Sequence, residues 1–289
     1  MTHPSADSDT PSSDYALRFG GIRRLYGARA AEAFRHAHVV VVGVGGVGSW
    51  TVEALARSGI GKLTLIDLDD VCISNVNRQL HALDGTVGRP KVEVLAERCR
   101  LIAPEIKTVA DAAFATPTNL DQRIPLDATH VVDAIDSVVA KAALIAWCKR
   151  HKMPITVTGA AGGQTDPTRI QVADLTRTQH DPLLSRTRAR LRRDFGFSRN
   201  LKRRFAVECV YSDEQLTYPA PGGEVCQQKP ANGEPTRLDC ESGFGAATFV
   251  TGTFGFVAAS QVLARLAKNA RAQNAAPSAD SSIPSGESM

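Results

Sequence analysis

A glycine-rich segment at residues 43–48, GVGGVG, fits the G-x-G-x-x-G pattern of a phosphate-binding loop. A β-branched run precedes it and a helical pattern at Trp50–Ser58 follows it, which is the context that this pattern requires. Gly43 allows the tight turn, Gly45 lets the backbone approach a phosphate, and Gly48 lets helix and strand pack closely. Free N–H groups at the helix N terminus also favour an anion. The segment predicts a nucleotide site, and alone it is consistent with NAD, FAD, ATP or S-adenosylmethionine.

Charged residues further along the chain narrow the choice of nucleotide. Asp67 ends the next predicted strand, where its carboxylate can accept hydrogen bonds from ribose hydroxyls. Arg78 can fork onto phosphate oxygens, and Lys91 is a point charge at the start of a helix. Two such cations are not needed in an enzyme that binds a dinucleotide for hydride transfer. They suit the larger negative charge of a bound triphosphate. Taken singly, each cation has an ordinary alternative as a solvated loop charge.

Asp136 is the predicted metal ligand. It ends a strand predicted at residues 130–136, at the carboxyl edge where open α/β sheets bind ligands. A carboxylate at this edge suits Mg²⁺ held together with substrate phosphates. Its alternative role is the N-cap of the helix predicted at Val138–His151. The combination of these residues predicts a site for ATP and Mg²⁺.

Strands and helices alternate along most of the chain at the spacing of βαβ units. The pattern predicts an α/β fold, a doubly wound Rossmann-like parallel sheet with additional C-terminal strands and a C-terminal helix. Residues 205–245 are rich in loop-forming residues and resist assignment. Strands are predicted at residues 38–43, 62–67, 106–110, 130–136, 154–159 and 169–175, and helices at 50–58, 89–102 and 138–151.

The ends of the chain set the predicted domain. Residues 1–13 and 270–289 are rich in Ser, Ala, Pro and Asp and lack a hydrophobic period, which predicts disordered tails around one domain at 14–269. No secretory signal opens the chain and no C-x-x-C pair occurs, so a cytoplasmic protein with reduced thiols is expected. The uncharged run at residues 242–264 is long enough for a membrane span, but its glycines favour a buried helix.

One segment carries the basic character of the chain. The net charge is +4, yet residues 186–204 alone hold nine Lys or Arg and one Asp. Such a segment could neutralise several phosphates of a nucleic acid, and Phe195 and Phe197 are candidates to stack on bases. The alternative is a solvated amphipathic helix. The predicted nucleic-acid-binding residues of this insert are Arg186, Arg188, Arg190, Arg192, Arg193, Lys202, Arg203 and Arg204, with Arg199 also contributing charge.

These motifs resemble those of the ubiquitin-activating-enzyme-like superfamily, which includes the molybdopterin-synthase and thiamine-biosynthesis adenylyltransferases. The resemblance implies binding of ATP and Mg²⁺, attack of a carboxylate on the α-phosphate, and release of pyrophosphate. It also implies a homodimer in which an N-terminal arginine approaches the partner's ATP. The residues implied are Gly43, Gly45, Gly46, Gly48, Asp67, Asp69, Asn75 and Gln79 for the nucleotide, Arg78, Lys91 and Asp136 for catalysis, and Arg18, Arg23 or Arg24 for the partner's site.

Longer segments resemble one branch of this superfamily, the tRNA threonylcarbamoyladenosine dehydratases. The resemblance is carried by RFGGIRRLYG (18–27), VVDAIDS (131–137), GAAGGQTDPTRIQV (159–172) and DCESGFGAATFV (239–250). It implies that ATP activates the carboxylate of the threonylcarbamoyl group beside the tRNA anticodon. An internal nitrogen then closes a ring with net loss of water. The resemblance leaves open whether a sulfur-transfer protein is a further partner.

Three other functions stay open at this stage. The first is activation of the C-terminal glycine of a sulfur-carrier protein, although the zinc-binding C-x-x-C pairs common in such enzymes are missing and no structural zinc is expected. The others are an NAD-dependent oxidoreductase and a non-catalytic RNA-binding protein. Cysteines that could form a thioester, as some superfamily members do, are Cys209, Cys226 and Cys240.

Overall fold

The computed structural model describes residues 13–228 and 244–275 of the chain. Most of both predicted tails, and Cys240, lie outside these residues. The helices are α1 (Ser13–Tyr26), α2 (Ala28–His36), α3 (Gly46–Arg57), α4 (Lys91–Ile102), α5 (Leu120–Arg123), α6 (Val138–Arg150), α7 (Pro182–Asp194) and α8 (Thr248–Ala275). The strands are β1 (His38–Val42), β2 (Lys62–Ile66), β3 (Lys107–Asp111), β4 (His130–Asp133), β5 (Ile155–Thr158), β6 (Ile170–Asp174), β7 (Glu208–Ser212), β8 (Tyr218–Pro219) and β9 (Val225–Cys226).

A seven-stranded sheet organises the fold, with the strand order β3-β2-β1-β4-β5-β7-β6. Neighbouring strands are parallel except for β6 and β7, which pair antiparallel. The strand order reverses between β1 and β4, and open α/β sheets bind ligands at such a switch point. The predicted Rossmann-like fold is therefore confirmed, and the expected ligand crevice lies at the carboxyl ends of β1 and β4.

Two apolar layers cover the sheet. Every residue of β1, β4 and β5 is buried, as expected for parallel strands covered on both faces. On one face, side chains such as Phe34, Leu55 and Phe254 join α2, α3 and α8 to the sheet. On the other face, Leu144 and Leu191 bring in α6 and α7. Each large apolar side chain buried in this way stabilises the fold by roughly 1.5–3 kcal/mol.

Helix α8 contains most of the uncharged run found in the sequence. By length and composition, Thr248–Ala272 could cross a membrane, yet 56% of its apolar window is buried inside the protein. Its contact with α3 is close, because a Cβ on Gly255 would lie 2.7 Å from the Val47 carbonyl oxygen. The helix is thus a core element, as predicted. It continues to Ala275, beyond the predicted start of the C-terminal tail at residue 270.

Several predicted boundaries are wrong for identifiable reasons. Strand β7 lies within the segment judged loop-rich, where it pairs between β5 and β6, and no local pattern specifies that insertion. The antiparallel direction of β6 is likewise set by its pairing partner rather than by its sequence. Helix α3 begins four residues before the predicted Trp50, because packing overrides the low helix propensity of glycine. Strand β4 ends at Asp133, so Asp136 lies in the following turn.

Candidate nucleotide-binding site

The glycine loop connects β1 to α3. Gly43 has a φ of +83°, and a Cβ there would lie 2.8 Å from the Ala134 carbonyl oxygen. A Cβ on Gly48 would overlap the carbonyl oxygen of Gly43. Both positions therefore require glycine. Because α3 begins at Gly46, its first N–H groups have no acceptor within the helix and can bind an anion.

The middle of the glycine loop faces the polar segment that follows β2. A Cβ on Gly45 would lie 3.7 Å from Nε2 of Gln79. A Cβ on Gly46 would lie 3.7 Å from Cγ of Arg78 and 3.3 Å from Cγ2 of Thr251. The fold thus brings together the loop and two of the predicted site residues. Gln79 is buried, and its Oε1 has no hydrogen-bond partner in the described part of the chain.

Asp67 follows β2 directly and holds the glycine loop. Its Oδ2 accepts a hydrogen bond from the Val44 N–H at 2.8 Å, and its Oδ1 accepts one from the Asp69 N–H at 2.9 Å. Burial raises the pKa of this carboxyl, and the nearby Lys91 opposes the rise. Each carboxylate oxygen retains acceptor capacity, so the position also suits the predicted contact with ribose hydroxyls.

Lys91 opens α4, as predicted, and its charge is already paired. Its Nζ lies 2.8 Å from Oδ2 of Asp69, and only 6% of its side chain is exposed, against 55% for Asp69. Burial, followed by the charge of Lys91, lowers the pKa of His81 to about 4, so this buried ring is neutral near pH 7. Asp69, predicted as a nucleotide-binding residue, acts in this structure as the anchor of Lys91.

The predicted residues Asn75 and Arg78 belong to one short turn. Oδ1 of Asn75 accepts a hydrogen bond from the Cys72 N–H at 3.0 Å, and its carbonyl oxygen accepts from the Arg78 and Gln79 N–H groups. Asn75 is 3% exposed, so it shapes the turn. Nη1 of Arg78 donates to the Ser74 carbonyl oxygen at 2.7 Å and to Oδ1 of Asn77 at 3.0 Å. The guanidinium is therefore held within its own turn, while Cγ of the same side chain lies beside the glycine loop.

Hydrogen bonds from the start of α8 hold the turn that carries Asn75 and Arg78. The sequence motifs taken one by one did not predict these contacts. Oγ1 of Thr251 donates to the Arg78 carbonyl oxygen at 3.1 Å, as does Nε1 of Trp50 at 3.2 Å. Oγ1 of Thr248 donates to the Asn77 carbonyl oxygen. The two threonines lie in or beside the ATFV end of a segment that only the family resemblance had singled out. The C-terminal helix therefore fixes the main chain that carries Arg78.

Asp136 lies in the turn between β4 and α6, and it is exposed. The helix cap is the neighbouring Ser137, whose Oγ accepts from the Ala140 N–H at 3.5 Å, so Asp136 does not serve as the cap. The same turn abuts the glycine loop, since a Cβ on Gly43 would lie 3.1 Å from the Ile135 nitrogen. One exposed carboxylate beside a phosphate-binding loop fits Mg²⁺, which takes few protein ligands and several phosphate or water oxygens. The described residues hold no group of three His, Cys, Asp or Glu that could form a metal cage.

A buried ion pair supports this turn, and no local pattern in the sequence indicates it. Nζ of Lys141 lies 2.8 Å from Oδ1 of Asp133, and both side chains are 0% exposed. Lys141 also donates to the Thr158 carbonyl oxygen at 3.0 Å, while Oδ1 of Asp133 accepts from the Ile135 N–H at 3.0 Å. Burial raises the pKa of Asp133, and Lys141 opposes the rise. The pair ties the carboxyl ends of β4 and β5 to the turn that holds Asp136.

The basic insert divides into structural and exposed arginines. Arg188 donates to the carbonyl oxygens of Leu175 and Thr178 at 3.1 Å, and burial lowers its pKa. Arg192 lies over the ring of Phe205 at 5.4 Å. Arg188 therefore packs inside the fold rather than facing a polyanion. Arg190 and Arg193 share the carboxylate of Asp194. The exposed cationic residues of the insert without a described ion pair are Arg186, Arg199, Lys202, Arg203 and Arg204.

The end of the basic insert is anchored to the sheet. Asp174, at the end of β6, accepts hydrogen bonds from the Phe205 N–H at 3.1 Å and the Val207 N–H at 3.2 Å. Phe197 packs edge-on against Phe205, with ring centroids 4.9 Å apart, and Phe195 packs against the same apolar core. These two phenylalanines are therefore partly buried against the core, and their stacking on bases stays a prediction.

Of the candidate cysteines, Cys209 differs from what a thioester-forming nucleophile needs. Cys209 lies in β7, is fully buried, and has a pKa raised well above its ordinary value by that burial. Its thiol would be protonated and inaccessible. Cys226 lies in β9, where its Sγ is 3.2 Å from the Gln228 carbonyl oxygen. Cys240 lies outside the described residues.

Comparison with known proteins places this site in a family context. The profile of the ThiF family matches residues 21–285. The chain is 54% identical to the tRNA threonylcarbamoyladenosine dehydratase of Escherichia coli K12 over 261 residues, which cover 90% of this chain and 97% of that protein. It is 49% identical to the Haemophilus influenzae enzyme of the same name, over 88% of this chain and 95% of the relative.

Solved structures agree with the sequence comparison. The chain resembles the crystal structure of E. coli tRNA threonylcarbamoyladenosine dehydratase in complex with ATP, with a TM-score of 0.82 and 50% sequence identity. The similarity covers 91% of this chain and 99% of that structure.

Proposed function

The chain belongs to the ThiF family, and we propose that it is an ATP-dependent tRNA threonylcarbamoyladenosine dehydratase. The observation that carries the proposal is 54% identity over 97% of the length of an enzyme with that name. The position of two cations supports the proposal, because the side chain of Arg78 lies beside Gly46 and Lys91 pairs with Asp69, two residues after Asp67. An oxidoreductase would have no use for that pair of cations.

The proposed reaction has two steps. In the first, a carboxylate oxygen of the threonylcarbamoyl group attacks the α-phosphate of ATP, and pyrophosphate leaves. In the second, a nitrogen of the same group attacks the activated carbonyl carbon, a ring closes, the nitrogen releases its proton to solvent, and AMP leaves with the former carboxylate oxygen. Because the nitrogen is a weak nucleophile, the better leaving group makes the ring closure feasible. The sum is loss of water from the nucleoside and conversion of ATP and water to AMP and pyrophosphate.

The residues of the site divide this work. The N–H groups around Gly45 and Gly46 bind phosphate oxygens, and Asp67 receives the ribose hydroxyls. Lys91 exchanges its Asp69 partner for a phosphate oxygen, and Arg78 stabilises the charge that develops on the pyrophosphate. Asn75 and Gln79 keep the turn in position beside the loop. Mg²⁺ held by Asp136 would neutralise charge on the triphosphate.

Nucleoside mass spectrometry tests the proposed reaction. Threonylcarbamoyladenosine-containing tRNA is incubated with the protein, ATP and Mg²⁺, and its nucleosides are then analysed. We expect an ATP-dependent loss of one water from the modified nucleoside, and little loss with the Asp136→Ala variant. An unchanged nucleoside, together with AMP formation on addition of a sulfur-carrier protein, would instead indicate activation of such a carrier.

The proposed tRNA surface is the exposed part of the basic insert. The anchoring of its end by Asp174 supports the proposal, since a held loop loses little conformational entropy on binding. Arg188 is left out of this surface because its guanidinium binds internal carbonyl groups. The proposed residues are Arg186, Arg199, Lys202, Arg203 and Arg204, with Arg190, Arg192 and Arg193 at the margin.

Replacement of Arg203 and Arg204 by glutamine measures the contribution of this surface. Each lost phosphate contact should reduce the magnitude of the slope of log affinity against log salt concentration by about 0.7–0.9. The loss of tRNA affinity should therefore be largest at low salt. The measurement is tRNA binding at several salt concentrations, with the exposed Arg29→Gln on α2 as the matched control. A double variant that behaves like Arg29→Gln would remove the insert from the tRNA surface.

We further propose that the protein is a homodimer in the cytoplasm. Exposed apolar side chains on α1 and α8 support an interface between copies: Leu17 is 81% exposed, Leu25 75% and Phe249 57%. An N-terminal arginine that reaches the partner's ATP, and a sulfur-transfer partner, stay predictions of the family resemblance. Of the candidate arginines, Arg18 donates to the Ile102 carbonyl oxygen within its own subunit.

A further inference from the structure

A cavity of about 310 Å³ lies at the ends of α3 and α4 that are far from the glycine loop. Three guanidinium groups from three different helices line it, together with the apolar side chains of the last turn of α4. Helix α3 separates this cavity from the glycine loop by about 18 Å, because its 12 residues rise about 1.5 Å each. The lining residues are Arg18, Arg57, Arg98, Leu101 and Ile102.

A buried carboxylate fixes two of these guanidinium groups. Glu53, whose side chain is 8% exposed, accepts from Nε of Arg57 at 2.7 Å and from Nε and Nη2 of Arg98 at 2.7 and 2.9 Å. Arg18 donates through one nitrogen to the Ile102 carbonyl oxygen. These contacts hold the three side chains in place, so a ligand would not have to order them.

The contacts leave donors and positive charge in excess. They use one nitrogen each of Arg18 and Arg57 and two of Arg98, and a guanidinium carries further N–H groups in a planar fork. The carbonyl ends of α3 and α4 explain why cations gather here, since each end carries roughly half a negative charge. Even so, three guanidinium charges exceed Glu53 and the two helix ends together. The arginines Arg57 and Arg98 keep 59% and 37% of their side chains exposed.

We propose that this cavity binds a phosphate group, and that the tRNA backbone supplies it. The proposal rests on the proposed function, because tRNA is the polyanion that the reaction brings to the protein. Guanidinium groups in a fixed fork match phosphate oxygens in geometry and charge. The cavity lies on the α3 side of the sheet, whereas the basic insert lies on the α6 side. A tRNA in contact with both would be held on two faces of the protein.

Substitution of Arg57 tests the proposal, because Arg98 still pairs with Glu53 in its absence. With Arg57→Gln we expect tRNA affinity to fall about threefold or more at low salt. The magnitude of the slope of log affinity against log salt concentration should fall by about 0.7–0.9. Arg57→Lys should recover part of the affinity, since it keeps the charge and loses the fork. Arg150→Gln, which removes an exposed arginine at the end of α6, is the matched control.

A second measurement separates tRNA from free phosphate. Inorganic phosphate is added while a non-hydrolysable ATP analogue saturates the nucleotide site, and the melting temperature is followed. If Arg57→Gln leaves tRNA binding unchanged but abolishes a rise in melting temperature with phosphate, the cavity serves the free anion. If neither measurement distinguishes Arg57→Gln from Arg150→Gln, the proposal is overturned. Failure of the wild-type protein to bind or dehydrate tRNA would count against the proposed function instead.

Discussion

The Lys91→Ala variant is expected to turn over roughly two orders of magnitude more slowly than the wild-type protein, because one well-placed cationic donor contributes about 3 kcal/mol to the transition state. Lys91 is 6% exposed and lies at the start of α4, so its charge acts in a region with little water. Arg78→Ala should show a loss of the same order. The measurement is single-turnover dehydration of modified tRNA, read together with pyrophosphate release.

Controls separate a catalytic loss from a folding loss. Lys107→Ala removes an exposed lysine at the start of β3 and should leave turnover unchanged. Because Lys91 pairs with Asp69, melting temperatures of all variants are compared first. The loss should appear in kcat more than in KM for ATP, since the charge of the leaving pyrophosphate develops only during reaction. Near-normal turnover in both Lys91→Ala and Arg78→Ala would remove these residues from the mechanism.

The glycine loop and its partners were predictable because their constraints are local. Gly43 needs a positive φ and Gly48 a close approach, and each requirement leaves glycine as the only choice at its position. The positions of Asp67, directly after a strand, and Lys91, at the start of a helix, were predictable because the hydrophobic pattern indicates where these elements end and begin. Prediction of β1, β2, β4 and β5 succeeded for the same reason, since buried parallel strands read as continuous apolar and β-branched runs.

The features that were missed depend on tertiary contacts. Arg188 looks like its neighbours in the sequence, but its turn of α7 faces inward, where the carbonyl groups of residues 175 and 178 bind it. The same holds for Phe197, which the fold turns towards Phe205. Lys141 sits within an otherwise apolar helix pattern, and only the pairing of β4 with β5 shows which groups it reaches. Periodicity carries no information on such partners.

The Lys141→Met variant should unfold about 3–5 kcal/mol more easily than the wild-type protein at neutral pH. Removal of one partner from a buried ion pair leaves the other charge without compensation. Asp133 is 0% exposed, and the carbonyl oxygen of Thr158 would also lose its donor. The measurement is urea unfolding followed by tryptophan fluorescence, with constant m-values required for the comparison.

The pH dependence of that loss identifies its cause. Burial already raises the pKa of Asp133, and removal of Lys141 raises it further, so the variant folds more readily when this carboxyl is protonated. A group whose folded pKa is raised costs stability as pH rises above its unfolded value, hence the gap between variant and wild type should widen from pH 5 to pH 8. In the double variant Asp133→Asn/Lys141→Met no buried charge remains at this place, so the gap should be smaller and should no longer widen as pH rises. A pH-independent loss in Lys141→Met alone would mean that the side chain of Lys141 contributes to stability through packing rather than through its charge.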